Sequence, residues 1–373
     1  MGGCHLKSIF KKNAIAQVAG YGEIEEEELV ETYHNYLWKK VLFIVVCIVV
    51  SIIVAGYAMT IGSYDIGFFE CYSIIWDHLV GNPIVDETKD WVIWDVRMPR
   101  ILSGIVAGVG LACAGAVMQS CMKNPLADPY TTGISSGASF GATVAMVAGV
   151  TFISGEFSIV LNAFIFSLIP TAAIVLISAF KRASPTTIIL AGIAIMYVFN
   201  AMTTVLMLMA DPNDMADVYA WQIGSLSITS WSDIPIMMIV TFAGTVALWM
   251  LSGKINVLAS GDENAKSLGV DADKLRILCL LLVSLISASI VSFTGIIGFV
   301  GLVCPHIARM FIGSDNKYLL PASAAFGVVL LLVADLIGRT IIAPAVLQVG
   351  VITAFIGGPM LIYLLLKQKK EAW

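Results

Sequence analysis

Charged side chains are scarce in this sequence. Asp, Glu, Lys and Arg make up 13% of its 373 residues, where a soluble globular chain carries about 25%. With 58% hydrophobic residues and a mean hydropathy of +0.90, a soluble fold is excluded and a polytopic membrane protein is implied. The net charge of −5 then says little, because what matters is where each charge lies relative to the bilayer. Several chemistries are also missing. No GxxxxGK[ST] stretch occurs, so the chain has no phosphate-cradling loop of its own. Neither HExxH nor a carboxylate pair is present, which argues against an intramembrane enzyme. The seven cysteines form no CxxC pair. Most lie in apolar runs, where the thiol behaves as a small hydrophobe, and Cys71 alone is expected on the outer side, so no disulfide framework is implied. Cys304 and His306 flank Pro305 with no third ligand nearby, which gives no metal site.

What the sequence has instead is long apolar runs. A bilayer core needs about 20 apolar residues per helix, and such runs occur at about 41–60, 98–122, 130–150, 158–180, 187–210, 233–252, 274–295, 298–313, 319–342 and 347–367. The expectation is an all-α protein of about ten transmembrane helices, since the runs are too long and too unalternating for barrel strands. The run 298–313 is short for a span and reads equally as a broken or re-entrant segment. Residues 1–40 are polar, with no apolar core before Val41, and read as a cytoplasmic tail rather than a cleavable leader.

The basic residues set the orientation. With the amino terminus inside, only Lys89, Arg97, Arg100 and Arg339 of the 21 Lys and Arg fall outside, and both termini are cytoplasmic. Arginines are scarce on that outer side, so WDVRMPR (94–100) stands out. Arg97 and Arg100 are three residues apart and share a face if the approach to the second run is helical. Pro99 would then sit in a first turn, where a missing N–H does no harm. In ADLIGR (334–339), Asp335 and Arg339 are four apart and are expected to pair near the outer mouth. Anchoring at lipid headgroups is the plainer reading of the arginines.

Three inner stretches are more specific. MKNPLADPYTTGISSGASFGA (122–142) carries two X-Pro turns and then Gly133, Gly137 and Gly141, one nearly bare helix face suited to close packing. LASGDENAKSLGVDADKLR (258–276) has Ser260 and Glu263 in capping-box spacing and Gly269 where a helix would end. That predicts a helix of about two turns in the cytoplasm, with Ala265 and Leu268 available for packing. TGIIGFVGLVCPHIARMFIGSD follows at 294–315.

Taken together, RMPRILSGIVAG, QSCMKNPLADPYTTGISSGASFGA, GDENAKSLGV, GFVGLVCPHIAR and ADLIGRT resemble, in order and over residues 91 to 367, the permease subunits of ATP-binding-cassette importers for iron–siderophore, haem and cobalamin. The resemblance implies a transmembrane permease domain over 41–373, working as a homodimer in the cell membrane with two ATPase subunits and an extracytoplasmic substrate-binding protein. It implies no resident cofactor, metal or nucleic acid. It implies a coupling helix at Ser260, Gly261, Asp262, Glu263, Ala265, Leu268 and Gly269 that docks on the ATPase. It places a cytoplasmic gate at Asn124 and Leu126, with a second gate position at Ser184 and Thr186, where SPTT departs from the family by its proline. Arg97, Arg100 and Arg339 match outer arginines that receive acidic residues of the binding protein. The alternative, an ion-coupled secondary transporter, is expected to carry ionisable residues near the bilayer midplane. Here the span interiors offer mostly Ser, Thr, Gln119, Asn162 and Asn200, with Asp335 the sole acid and close to an end.

Overall fold

The structure, a computed structural model, describes residues 26–62, 64–83, 86–180 and 184–367. Residues 1–25 of the predicted tail, Lys181, Arg182 and the last basic residues lie outside them. Every described element is helical.

Helix α1 (Glu26–Thr60) runs through the predicted boundary at 40, so the tail's last residues are continuous with the first span. A short amphipathic helix α2 (Phe68–Val80) leads to α3 (Glu87–Trp91), a π-helical segment Val92–Arg97, and α4 (Met98–Met122). These last three form one continuous apolar rod over Glu87–Met122. Pro99 therefore lies inside the rod. A proline there has no N–H and crowds the preceding turn, and the π register relieves this by shifting each bond one residue. Trp94 would bond forward to Pro99 in that register. Its orphaned carbonyl instead accepts a 2.8 Å bond from the Trp231 indole N–H.

A 3₁₀ turn (Pro129–Thr132) precedes α5 (Ile134–Val147), followed by α6 (Ser158–Phe180) and α7 (Pro185–Met207). Between the fifth and sixth apolar runs lies a further helix, α8 (Pro212–Ile223), started by a proline at its first turn. Helices α9 (Ile234–Met250) and α10 (Ser252–Ala259) form one apolar pair bent by 59°. Then come α11 (Asp262–Ser267), α12 (Ala272–Thr294), α13 (Val300–Ile312), α14 (Asn316–Thr340) and α15 (Val349–Lys367).

A helix thus stands at each of the ten apolar runs, although they are not alike. Six helices are long and apolar enough to cross a membrane alone, and α9–α10 makes a seventh if counted as one span. Helix α5, α13 and the apolar part of α15 are shorter; at 1.5 Å per residue, the 14 residues of α5 reach roughly 21 Å, less than a hydrocarbon core of about 30 Å.

Helix α4 is the hub. It packs against α14, α12, α13 and α9, and 83% of its apolar window is buried, against 17% for α1. Such packing needs bare backbone: a Cβ on Gly108 would stand 2.7 Å from the Gly327 carbonyl oxygen of α14. The predicted glycine face of α5 does the same work, Gly137 lying against the Phe166 carbonyl of α6.

Candidate functional site

The functional candidates gather at the two ends of the bundle. At the predicted inner end, α4 stops at Lys123, a non-glycine residue in the left-handed region (φ 51°). Asn124 then folds the loop back: its N–H bonds the Gln119 carbonyl at 3.1 Å, and its Oδ1 accepts from the Leu126 N–H at 2.9 Å. This side-chain turn is the ordinary use of Asn before proline. Leu126 is left exposed. Buried Asp128 caps the 3₁₀ turn through the Tyr130 N–H at 2.8 Å, and burial pushes its carboxyl up to about 6 although that bond opposes the shift. Ser184 is the N-cap of α7, accepting from the Thr187 N–H at 3.2 Å, with Thr186 exposed in the first turn. Pro185 is the first helical residue, where proline is favoured, so the departure in SPTT is a helix start. The 3₁₀ turn also meets α7 further up, where a Cβ on Gly192 would lie 2.5 Å from the Thr131 carbonyl oxygen.

The predicted cytoplasmic helix is present as α11, six residues long. Its start differs from the reading of the sequence. Ser260 finishes α10, donating its hydroxyl to the Val257 carbonyl, and Gly261 at φ +130° is the N-cap, so the Ser260–Glu263 box does not form. The end is as predicted: Gly269 is left-handed at φ +77°, and the Val270 N–H reaches back to the Ala265 carbonyl at 2.8 Å, closing a Schellman-type end. Of the two residues expected to be free for packing, Ala265 is fully buried within the chain's own core, while Leu268 is 66% exposed. Asp262 is held by Lys123 Nζ at 2.7 Å and Arg276 Nη2 at 2.8 Å. Partial burial raises its pKa, but the Lys123 hydrogen bond and the Arg276 charge outweigh that and hold it below the usual carboxylate range.

At the opposite end the three arginines are not a free rim. Arg97, Arg100 and Arg339 are 3%, 7% and 7% exposed. Arg97 donates to the Met59 and Tyr64 carbonyls, both at 2.6 Å. Arg339 donates to the Ala58 and Ile61 carbonyls at 3.0 and 3.1 Å. Helix α1 ends at Thr60, so these are carbonyls around a helix C-terminus that would otherwise lack partners, and cations suit that end of the helix dipole. Arg100 Nε and Nη2 both lie 2.8 Å from Asp335 Oδ1. The predicted Asp335–Arg339 pair forms at 2.7 Å. All three guanidiniums thus turn inward, Arg97 and Arg339 onto carbonyls around the end of α1 and Arg100 onto Asp335.

Residues that sequence reasoning missed include Lys123 and Arg276, whose link to Asp262 leaves no local signature, and the Gln119–Arg309 contact from α4 to α13, with Gln119 Nε2 also donating to the Gly301 and Leu302 carbonyls at 3.2 Å each. An open, largely apolar cavity of about 560 Å³ lies between α8, the start of α13 and α15, lined by Gln222, Ile223, Phe299, Val351 and Phe355 among others. Phe299 holds a left-handed backbone (φ 68°) there.

With that geometry in hand, the sequence profile of the FecCD transport family matches residues 38–367. The chain belongs to the FecCD transport family. Among its relatives, the hemin transport system permease of Yersinia pestis is 36% identical over 75% of this chain and 85% of its own length. The cobalamin import system permease of Halobacterium salinarum is 37% identical over 77% of each. A solved structure of an inward-facing metal-chelate-type ABC transporter superposes with a TM-score of 0.76 at 28% identity, covering 87% of this chain and 99% of that one. The FecCD chain is thus an all-helical, multi-pass permease of the cell membrane, of the ABC transporter type.

Proposed function

We propose that this FecCD chain is the transmembrane subunit of an importer that moves an iron chelate, haem or cobalamin into the cytoplasm. It works as a homodimer with two ATPase subunits that supply all the ATP chemistry and a binding protein that delivers cargo from outside. Both termini face the cytoplasm. Helix α11 is the coupling element, with Ser260, Gly261, Asp262, Glu263, Ala265, Leu268 and Gly269 forming its body and ends. Asn124 and Leu126, with Ser184 and Thr186, form the gate at the same end. The cavity beside Phe299 is this subunit's share of the path.

The observation that carries the reading is α11 itself. A six-residue helix has no stability of its own, yet here it is pinned through Ala265 while Leu268 is left in the open. An exposed leucine on a rigid, partly charged knob fits insertion into an apolar notch of a partner. At the outer end, Arg97, Arg100 and Arg339 receive acidic residues of the binding protein through the small part of each side chain that stays exposed.

The test is reconstitution with the ATPase subunit. Leu268→Glu is expected to abolish co-purification of the two and ATP-driven uptake of a ferric siderophore, haemin or cyanocobalamin, while the permease alone stays folded. Wild-type association in Leu268→Glu would remove α11 from the interface. Uptake that persists without ATP and follows an ion gradient would favour the secondary-transporter reading instead.

A further inference from the structure

Asp262 opens α11, and one of its carboxylate oxygens joins three elements. Oδ1 accepts from Lys123 Nζ at 2.7 Å and from Arg276 Nη2 at 2.8 Å. Arg276 is fully buried in the first turns of α12. Its Nε also donates to the Cys121 carbonyl near the end of α4 at 3.3 Å, and its Nη1 lies 3.4 Å from Asp273. Lys123 is the left-handed residue that ends α4, and the next residue is Asn124.

The mechanical consequence follows from size. Helix α11 buries Ala265 and little else, so a force on Leu268 would swing the helix about that one point unless its first residue were held. Asp262 is the hold. On one side it grips a buried, rigid guanidinium, whose planar fork loses little freedom on binding. On the other it grips Lys123, whose side chain is a third exposed and whose backbone starts the loop that carries Asn124 and Leu126. A surface ion pair seldom adds much stability, and stability is a poor reason for one oxygen to serve two cations from two different helices. Transmission is a better one, because a charge pair holds both elements to a common position without fusing their backbones.

We propose that Asp262, Lys123 and Arg276 form a strut that carries displacement of α11 to the 124–126 loop, with Lys123 and Arg276 as positioning residues. The proposal rests on the reading of α11 as the coupling helix. It assigns to the ionic link, and not to the packing of Ala265, the transfer of motion from ATPase to gate.

The experiment uses the assembled permease–ATPase complex and needs no cargo. Leu126→Cys is introduced, and its rate of reaction with a maleimide is measured with and without ATP and vanadate. Coupling free energies between sites typically correspond to about 5–150-fold, and an ATP-dependent change in rate of at least about fivefold is expected when the strut is intact. Adding Lys123→Gln or Asp262→Asn is expected to abolish that change while the ATPase still co-purifies. Lys123→Arg should restore it, and the double variant Lys123→Gln, Asp262→Asn should be no worse than either single one. A full ATP-dependent change in Lys123→Gln, or additive losses in the double variant, would overturn the strut. So would an absent change in the Leu126→Cys complex itself. Lys123 is a partly exposed residue, so its variants remain informative if Asp262→Asn fails to fold. Ala265→Pro separates the two readings: if it leaves both ATPase binding and the labelling change intact, the coupling-helix reading fails. If it abolishes the change and Lys123→Gln does not, the strut alone fails.

Discussion

Both ends of this FecCD permease carry a knot of charged side chains, and the two knots are built in opposite ways. At the predicted outer end, Arg97, Arg100, Arg339 and Asp335 are buried, and their partners are backbone carbonyls in and just after the end of α1 or one another. At the inner end, Asp262, Lys123, Asp271 and Lys274 stand partly in solvent, and only Arg276 is sunk. Charges taken out of water must be fully paired, because an orphaned partner is costly; charges left in water can exchange partners cheaply. The outer knot is therefore a fixed clamp that fastens a loosely packed α1 to α4 and α14. The inner knot is a joint. The proposed importer would use this asymmetry, with force entering at the ATPase side while the receiving mouth keeps its shape.

The sharpest way to break the comparison is to remove the shared acid of the clamp. Asp335→Ala leaves Arg100 and Arg339 buried without their counter-charge, and breaking a buried ion pair in this way costs about 3–5 kcal/mol. We expect a large drop in thermal midpoint in detergent and poor recovery of folded protein. A midpoint within a degree or two of wild type would show that the cluster is hydrated and the clamp reading wrong.

Arg97→Ala comes next. It deletes hydrogen bonds to the Met59 carbonyl of α1 and to the Tyr64 carbonyl just beyond it, and bonds to charged groups contribute about 1.5–3 kcal/mol each, part of which water recovers at this end. The expected result is a loss of about 2 kcal/mol, together with faster proteolysis or hydrogen exchange confined to α1 and the 61–67 connection. A variant that is stable but no longer binds the substrate-binding protein would restore the arginine to direct docking.

These two outcomes bear on what the sequence made legible. A helix stands at each of the ten apolar runs, because length and hydropathy are local properties. The outer side expected for Arg97 rests on charge bias, which speaks to a side of the membrane and says nothing about which way a side chain turns. The carbonyl of Met59 is 38 residues from Arg97, and Asp335 is 235 residues from Arg100, so no spacing rule could have joined them. Gly269 was readable as a helix end because a left-handed residue is a local demand. The Ser260–Glu263 box was misread because Ser260 already belongs to the helix before it. Pro99, expected in a first turn, lies inside a longer rod, where the π register absorbs it, and the partner of the freed carbonyl, Trp231, comes from another part of the chain. The gate residues were placed by resemblance; their local roles, an Asn124 turn and a Ser184 cap, follow from the turn and cap preferences of those residue types.

A third prediction uses pH, to which the two ends should respond differently. Burial raises the Asp128 carboxyl from 3.8 to about 6. The folded chain thus holds a proton that the unfolded chain has released, so this group's contribution to stability is greatest below about pH 4 and falls as pH rises to about 6. Asp128→Asn can keep the cap on Tyr130 without ionising. It is expected to flatten the dependence of the thermal midpoint on pH between about 4 and 6 and to raise the midpoint at pH 7, where the wild-type carboxyl is ionised in its buried place. Asp335→Ala, measured on whatever folds, should leave that slope in place. An unchanged slope in Asp128→Asn would mean that the carboxyl is solvated.

The smallest expected effect is at Lys123. Its bond to Asp262 is short, but both side chains are a third or more exposed, and an exposed pair contributes about 0–1 kcal/mol. Arg276 remains on Asp262 when Lys123 is removed, so the carboxylate is not left alone. Lys123→Ala should therefore shift the thermal midpoint of the permease very little, in contrast to Asp335→Ala, although both delete one member of an ion pair with separations near 2.8 Å. If Lys123→Ala proves as destabilising as Asp335→Ala, the inner end is a second clamp and the asymmetry disappears. If it is neutral for stability and still blocks the response of the gate loop to ATP, then the bond is kept for what it transmits. Stability and coupling would then be separable at one residue, which a joint permits and a clamp does not.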